Sequence, residues 1–183
     1  MLYTFFLVCS IAFVFVRVLW HQPESKESTE YQSTREKLLA SQFSILLFGS
    51  HGYWITNAST CMVYWSDGIR YVGAVFMFVS IPWLYWVHHS LGRFFSARLE
   101  LRKDHTIIQT GPYKWIRHPM YTSGFLYVIG AGLLSGNIGV LLLPLVGFSL
   151  LVFVRVPDEE KMLAQLPDYE EYKNKTGRFF PKL

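Results

Sequence analysis

Two short polar motifs interrupt an otherwise apolar chain and carry the side chains best suited to chemistry. The first is Arg117-His118-Pro119 with Tyr121 just after it, and the second is Arg155-Val156-Pro157-Asp158-Glu159-Glu160. Together they supply guanidinium, imidazole, phenol and carboxylate groups. These groups bind charged ligands, and an imidazole also moves protons near neutral pH.

The same motifs also have a purely structural explanation. Charged residues commonly flank membrane helices, and His118-Pro119 fits a helix start, where proline is favoured and a polar residue caps. Carboxylates at a helix C-terminus oppose the helix dipole. A new helix beginning at Asp158, after Pro157, would remove that conflict, but it would not explain why His118 and an arginine approach the same place.

The elements that position both motifs are two apolar runs, Met120–Leu134 and Ile138–Val154. Only Ser135, Gly136 and Asn137 separate them. A connection this short forces an antiparallel helical hairpin. The start of its first helix and the end of its second must then lie together, which predicts one polar site at the base of the hairpin.

The composition indicates residence in a membrane. The 183-residue chain is 51% hydrophobic, 17% aromatic and only 16% charged, against about 25% charged in soluble domains. Three further apolar runs are long enough to span a bilayer: Leu2–Trp20, Leu38–Met62 and Ile69–Trp86. We therefore predict an all-α integral membrane protein of about five transmembrane helices.

The organisation along the chain follows from these spans. We expect residues 1–92 to form a three-helix membrane region and residues 93–183 to form a candidate catalytic region with a connector, the hairpin and a tail. His21–Lys37 is a polar loop or surface helix. In the tail, helices are expected at Asp158–Leu166 and Tyr169–Lys175.

The distribution of basic residues predicts orientation. With the N-terminus outside and five spans, 16 of the 17 Lys and Arg residues lie inside, and only Arg70 lies outside. This matches the positive-inside rule and puts the C-terminus and the site on the cytosolic face. Arg17 is expected to snorkel from the end of the first span.

The positions of charged residues, histidines and glycines along the sequence disfavour several other functions. The net charge of +4 is spread between apolar runs, which suits lipid headgroups or an anionic cofactor group rather than nucleic acid. The histidines at 88, 89, 105 and 118 lack metal-ligand spacing. Gly130-Ala131-Gly132 lies inside an apolar span, so it favours close helix packing over nucleotide binding.

The two motifs together resemble a known family. Residues 111–121, GPYKWIRHPMY, resemble the G-x-Y-x-x-x-R-H-P-x-Y signature of the isoprenylcysteine carboxyl methyltransferases. RVPDEE at 155–160, YEEY at 169–172 and TGRFFP at 176–181 resemble its C-terminal signature. The match begins near Leu99, and the chain length resembles the compact five-helix prokaryotic members.

The resemblance implies S-adenosyl-L-methionine as the cofactor and a lipophilic, prenyl-like acceptor that enters from the bilayer. Arg98 stands where eukaryotic members carry a cofactor-contacting Gln. Arg155 matches a substrate-binding arginine, and Arg155 and Glu159 would orient the reactants. The implied cofactor-binding residues are His105, Thr106, Ile107, Ile108, Tyr113, His118, Pro119, Met120, Tyr121 and Glu159.

The sequence is also compatible with three alternative functions. A phospholipid or small-lipophile methyltransferase of the same superfamily would need a base for an amine acceptor, and His118 is the candidate. A sterol-reductase-like NADPH enzyme would need a more basic cofactor site than Asp158-Glu159-Glu160 offers. A non-catalytic scaffold would leave the convergence of charges unexplained.

Overall fold

The computed structural model describes residues 2–20, 49, 51–52, 61–94 and 106–182, and these residues are mainly helical. The described helices are α1 (Leu2–Leu19), α2 (Asp67–Leu91), α3 (Pro119–Ser135), α4 (Ile138–Leu163) and α5 (Tyr169–Lys175), with short 3-10 helices at Gly92–Phe94 and Gly111–Lys114. The expected loop His21–Lys37 and nearly all of the expected span Leu38–Met62 lie outside the described residues.

Three of the helices, α1, α2 and α4, are long and apolar enough to cross a membrane. Each also turns large apolar side chains outward: Ile11 is 69% exposed, Phe78 61% and Phe153 76%. Soluble monomers rarely carry apolar patches of this extent. The outward faces of these helices are those of a membrane protein.

The predicted hairpin is confirmed. Helix α3 ends at Ser135, and Gly136 takes a left-handed conformation (φ 65°, ψ 26°) that glycine adopts without strain. Asn137 then caps α4, because its side-chain oxygen accepts hydrogen bonds from the backbone N–H groups of Gly139 (2.9 Å) and Val140 (3.3 Å). The three connecting residues stop one helix and start the next.

Helix α3 is the central helix, and small residues let its neighbours approach closely. A Cβ atom on Gly130 would lie 2.7 Å from the backbone nitrogen of Met77, and one on Gly73 would lie 2.5 Å from that of Leu134. The expectation that Gly130 serves packing is thereby confirmed. A polar chain also crosses this core, since the Tyr127 hydroxyl lies 2.8 Å from Ser10 Oγ and 2.9 Å from His51 Nε2.

Helices α1 and α2 run parallel. Phe6, near the start of α1, packs in one core with Met77 in the middle of α2, whereas Trp20, just after α1, stacks at 6.3 Å on His88 in the last turn of α2. The ends of α1 and α2 therefore lie together. We call this end of the bundle, marked by Trp20, His88, His118 and Glu160, the polar end.

Helix boundaries differ from the prediction in two places. Helix α2 continues past Trp86 to Leu91, and α4 continues past Val154 to Leu163. The helical stretch expected at Asp158–Leu166 is confirmed as far as Leu163, but it continues α4, so a new helix beginning at Asp158 is wrong. Pro157 removes one backbone hydrogen bond, and its ring crowds the carbonyl four residues earlier. The loss is offset because the turns beyond it carry Glu159 and Glu160, which are held by contacts outside α4. The tail helix Tyr169–Lys175 is confirmed.

Candidate functional site

His118 lies where the chain enters α3 and is only 5% exposed. It occupies the N-cap position, but its side chain makes no capping hydrogen bond, so the capping interpretation is wrong for the imidazole. The ring instead lies between two carboxylates. Its Nε2 is 3.2 Å from Glu160 Oε1, and its Nδ1 is 3.6 Å from Glu159 Oε2.

Glu159 is the more accessible of the two carboxylates, with 23% of its side chain exposed. The Tyr121 hydroxyl donates a hydrogen bond of 3.1 Å to Glu159 Oε2. Tyr121 comes from the first turn of α3, and Glu159 from the far end of α4. The hairpin thus joins a carboxylate, an imidazole and a phenol from distant parts of the sequence.

Glu160 faces a different set of partners, because adjacent residues on a helix point about 100° apart. The Arg117 Nε lies 3.4 Å from Glu160 Oε1, and the Arg178 Nε lies 3.1 Å from the same atom. Arg178 also donates through Nη2 to the other oxygen. This hydrogen bonding raises the pKa of Arg178. These cations offset the unfavourable position of an acid near the C-terminus of α4.

The tail pairs with the segment that carries His118. The backbone N–H groups of Arg117 and His118 donate to the carbonyls of Gly177 (2.8 Å) and Arg178 (3.0 Å). Gly177 N–H donates in return to the Trp115 carbonyl at 3.1 Å. A Cβ atom on Gly177 would lie 1.7 Å from the Phe180 carbonyl oxygen, so this tight turn requires glycine.

Tyr113, in the 3-10 helix Gly111–Lys114, lies beside the same cluster. Its carbonyl accepts a hydrogen bond of 2.8 Å from the Tyr172 hydroxyl, which ties the 3-10 helix to α5. Burial, and then the negative charge of Glu159, raise the pKa of Tyr113 well above its usual value. Arg155, one helical turn before Glu159, interacts electrostatically with Tyr121. Tyr113 and Arg155 thus border the same cluster.

The remaining predicted site residues make fewer contacts with the cluster, or lie outside the described residues. Pro119 is buried and Met120 partly buried in the first turn of α3, and the Pro119 carbonyl accepts from Trp83 Nε1 at 3.0 Å. Thr106 is exposed, while Ile107 and Ile108 are partly buried. His105 and Arg98 lie outside the described residues.

Three residues of this cluster had no predicted role: Arg117 and Glu160, which the two motifs placed in this region, and Arg178. Glu160 was visible beside Glu159, but the sequence did not show that the two carboxylates face different partners. Arg178 lies in the C-terminal signature, and its presence there was the only available signal. Their contacts stabilise the segment on which His118 and Tyr121 stand.

The fold and site define a helical membrane protein with a cluster of ionisable groups at one end of its bundle. Residues 73–165, just over half of the chain, match the family model of the isoprenylcysteine carboxyl methyltransferase (ICMT) family. The chain belongs to this family, as its motifs predicted. The matched segment contains most of α2, both helices of the hairpin, and Glu159.

Individual relatives agree with the family model over part of their length. The protein-S-isoprenylcysteine O-methyltransferase of Saccharomyces cerevisiae is 38% identical over 106 residues, which covers 51% of this chain and 41% of that protein. The cobalt-zinc-cadmium resistance protein CzcN of Cupriavidus metallidurans is 31% identical over 96 residues, 51% of this chain and 44% of that protein. The chain thus spans less than half the length of these relatives.

Proposed function

We propose that this protein is an S-adenosylmethionine-dependent methyltransferase that O-methylates the carboxylate of a lipophilic, isoprenylcysteine-like acceptor. The observation that carries the proposal is the contact of His118 and Tyr121, from α3, with Glu159, from α4. Family membership supports the same conclusion, because the matched segment contains this cluster.

The chemistry of the cluster fits the proposed cofactor. S-adenosylmethionine supplies an electrophilic methyl group and carries positive, zwitterionic and aromatic parts. Glu159, with part of its side chain exposed, offers a carboxylate to the cationic part. Tyr113 and Tyr121 offer aromatic surface. The proposed pocket is the predicted set: residues 105–108, Tyr113, residues 118–121 and Glu159.

The acceptor side of the reaction needs orientation more than proton transfer. A carboxylate is already deprotonated, so no general base is required. Arg155 suits its binding, because a guanidinium can donate two parallel hydrogen bonds to a carboxylate. Holding acceptor and methyl donor in line is the main source of rate, with effective molarities of about 10⁵ M or more in well-oriented systems.

We further propose that five spans cross the bilayer, with the polar end on the cytosolic face and lateral entry of the acceptor from the lipid. The parallel course of α1 and α2 supports this arrangement, because five alternating spans place the first and third in the same direction. The basic tail supports the sidedness.

Calorimetric titration of the purified full chain in detergent tests the function. We expect S-adenosylmethionine and S-adenosylhomocysteine to bind, and Glu159→Gln to weaken binding about ten-fold or more, the cost of a lost charged hydrogen bond. Glu171→Gln is the control, since Glu171 is exposed and pairs only locally with Lys175. Binding of NADPH in place of S-adenosylmethionine would favour the reductase alternative and end the methyltransferase proposal.

A further inference from the structure

The only charged residue of α1 is Arg17, in its last turn. Arg17 is partly buried and lies three residues before Trp20, a spacing that puts both residues on the same face at the end of α1. It interacts electrostatically with Arg155 of α4, Tyr121 of α3 and Tyr113. Charged residues that face the interior of a membrane bundle commonly mark functional sites.

Packing at the polar end holds Arg17 in this position. Trp20 stacks on the fully buried His88 with the rings 6.3 Å apart and within 9° of parallel. His88 is itself an electrostatic neighbour of Arg17. Helix α2 in turn is tied to the start of α3 by the hydrogen bond from Trp83 Nε1 to the Pro119 carbonyl. The end of α1 is thus fixed against the segment that carries His118.

The site therefore combines charges of both signs around Tyr121. The Tyr121 hydroxyl donates to Glu159, and Arg155 and Arg17 are both electrostatic neighbours of the same side chain. A guanidinium group binds a carboxylate through parallel hydrogen bonds, and two guanidinium groups at one site attract an anionic ligand more strongly than one does.

We propose that Arg17 acts with Arg155 to bind the carboxylate of the acceptor, which makes the first helix part of the acceptor site. This inference rests on the proposed methyltransferase function. Arg17 lies outside the segment that matches the family model, so it extends the site beyond the hairpin.

The reaction itself would change the charge that the two arginines hold. Methylation forms a bond between a carboxylate oxygen and the methyl carbon, while the methyl–sulfur bond breaks and its electron pair stays on sulfur. No proton is exchanged. The acceptor becomes a neutral ester and loses its attraction to Arg17 and Arg155. The arginine pair thus favours substrate over product.

A binding comparison tests this role without requiring turnover. The probes are N-acetyl-S-farnesyl-L-cysteine and its methyl ester, titrated into the full chain in detergent micelles. We expect wild type to bind the acid at least ten-fold more tightly than the ester. Arg17→Gln should lose most of this preference, and Arg17→Lys should keep part of it.

Arg70→Gln is the matched control. Arg70 is also an arginine near a helix end, but it hydrogen-bonds to the Leu134 carbonyl at the opposite end of the bundle, so the preference for the acid should persist. S-adenosylhomocysteine binding should stay within about two-fold of wild type in all variants, which separates this test from that of the cofactor site. Equal affinity of wild type for acid and ester, or an unchanged preference in Arg17→Gln, would overturn the inference.

Discussion

Two adjacent carboxylates, Glu159 and Glu160, share His118 as a neighbour but otherwise have different surroundings. Glu159 keeps part of its surface accessible and contacts Tyr121, whereas Glu160 is enclosed by Arg117 and Arg178. The first is suited to a ligand and the second to holding the site together. Substitutions at the two positions should therefore have separable effects.

Glu160→Gln should lower the stability of the protein. The change removes the carboxylate that pairs with the partly buried Arg117 and the more exposed Arg178 among the described residues, and we expect a loss of about 1–3 kcal/mol. Thermal unfolding in detergent measures it. Lys161→Gln is the control, because Lys161 is 78% exposed and should tolerate the change. An unfolding temperature equal to wild type for Glu160→Gln would contradict the structural role of Glu160.

Gly177→Ala should be poorly tolerated. Its new Cβ would fall 1.7 Å from the Phe180 carbonyl oxygen, so the tail must shift away from the segment carrying His118. We expect lower thermal stability and weaker S-adenosylhomocysteine binding together. Gly68→Ala is the matched control, since the nearest atom to its Cβ would be 3.9 Å away. Wild-type behaviour of Gly177→Ala would show that the tail does not support the site.

The residue types in the site were predictable from the sequence, but the contacts that each side chain makes were not. The sequence identified His118, Tyr121 and Glu159 as neighbours because the hairpin forces them together. It could not show which carboxylate meets which cation, since that depends on the direction of each side chain around α4. The neighbours of Arg17 were not predictable for a similar reason: one span considered alone does not reveal what its end packs against.

At the scale of elements, the hairpin connection determines where the site forms. Its three residues include a left-handed glycine and a capping asparagine, so α3 and α4 begin and end at fixed positions. A shift of one residue in either helix would rotate its side chains by about 100° and separate Tyr121 from Glu159. The cap at Asn137 thus helps to determine the contact between Tyr121 and Glu159, about 20 residues away along each helix.

Asn137→Ala should destabilise the protein by about 1 kcal/mol, the usual cost of losing a helix N-cap. Asn137→Asp should recover most of that loss, because a carboxylate oxygen can accept the same bonds from Gly139 and Val140. Denaturant titration of the detergent-solubilised protein compares them. A larger loss for the Asp variant than for the Ala variant would contradict the capping role.

The described helices were predicted correctly where the apolar runs were clear, but the end of α4 was misplaced. A three-residue break between two apolar runs leaves little choice but a hairpin. The end of α4 was misplaced because Pro157 and the acidic run are normally signals of a helix end, whereas tertiary contacts of Glu159 and Glu160 extend the helix here.

On the scale of the whole molecule, the arrangement of helices brings four of them to the polar end. The ends of α1 and α2, the start of α3 and the end of α4 meet there, and the tail closes over them. The apolar composition predicted membrane helices, and the charge distribution predicted their direction. Neither could predict that the end of the first helix lies beside the site, because that requires knowing which helices are neighbours.

Cysteine labelling tests the proposed sidedness. Cys61 is exposed and Cys9 is buried, so a membrane-impermeant maleimide should modify Cys61 in intact cells if the loop before α2 lies outside. In a Cys61→Ser background, Lys182→Cys should react only after permeabilisation, because the tail lies inside. The reverse pattern would invert the proposed orientation.

The central claim is that α3 and α4 together form one cofactor site, and a double-mutant cycle on S-adenosylhomocysteine affinity tests it most directly. Tyr121→Phe and Glu159→Gln should each weaken binding, and the double variant should lose less than the sum of the two, as expected for residues in contact. Combining Tyr121→Phe with the exposed Glu171→Gln should give additive effects. Affinity that is unchanged in both single variants, or strictly additive losses for Tyr121 and Glu159, would contradict a shared site.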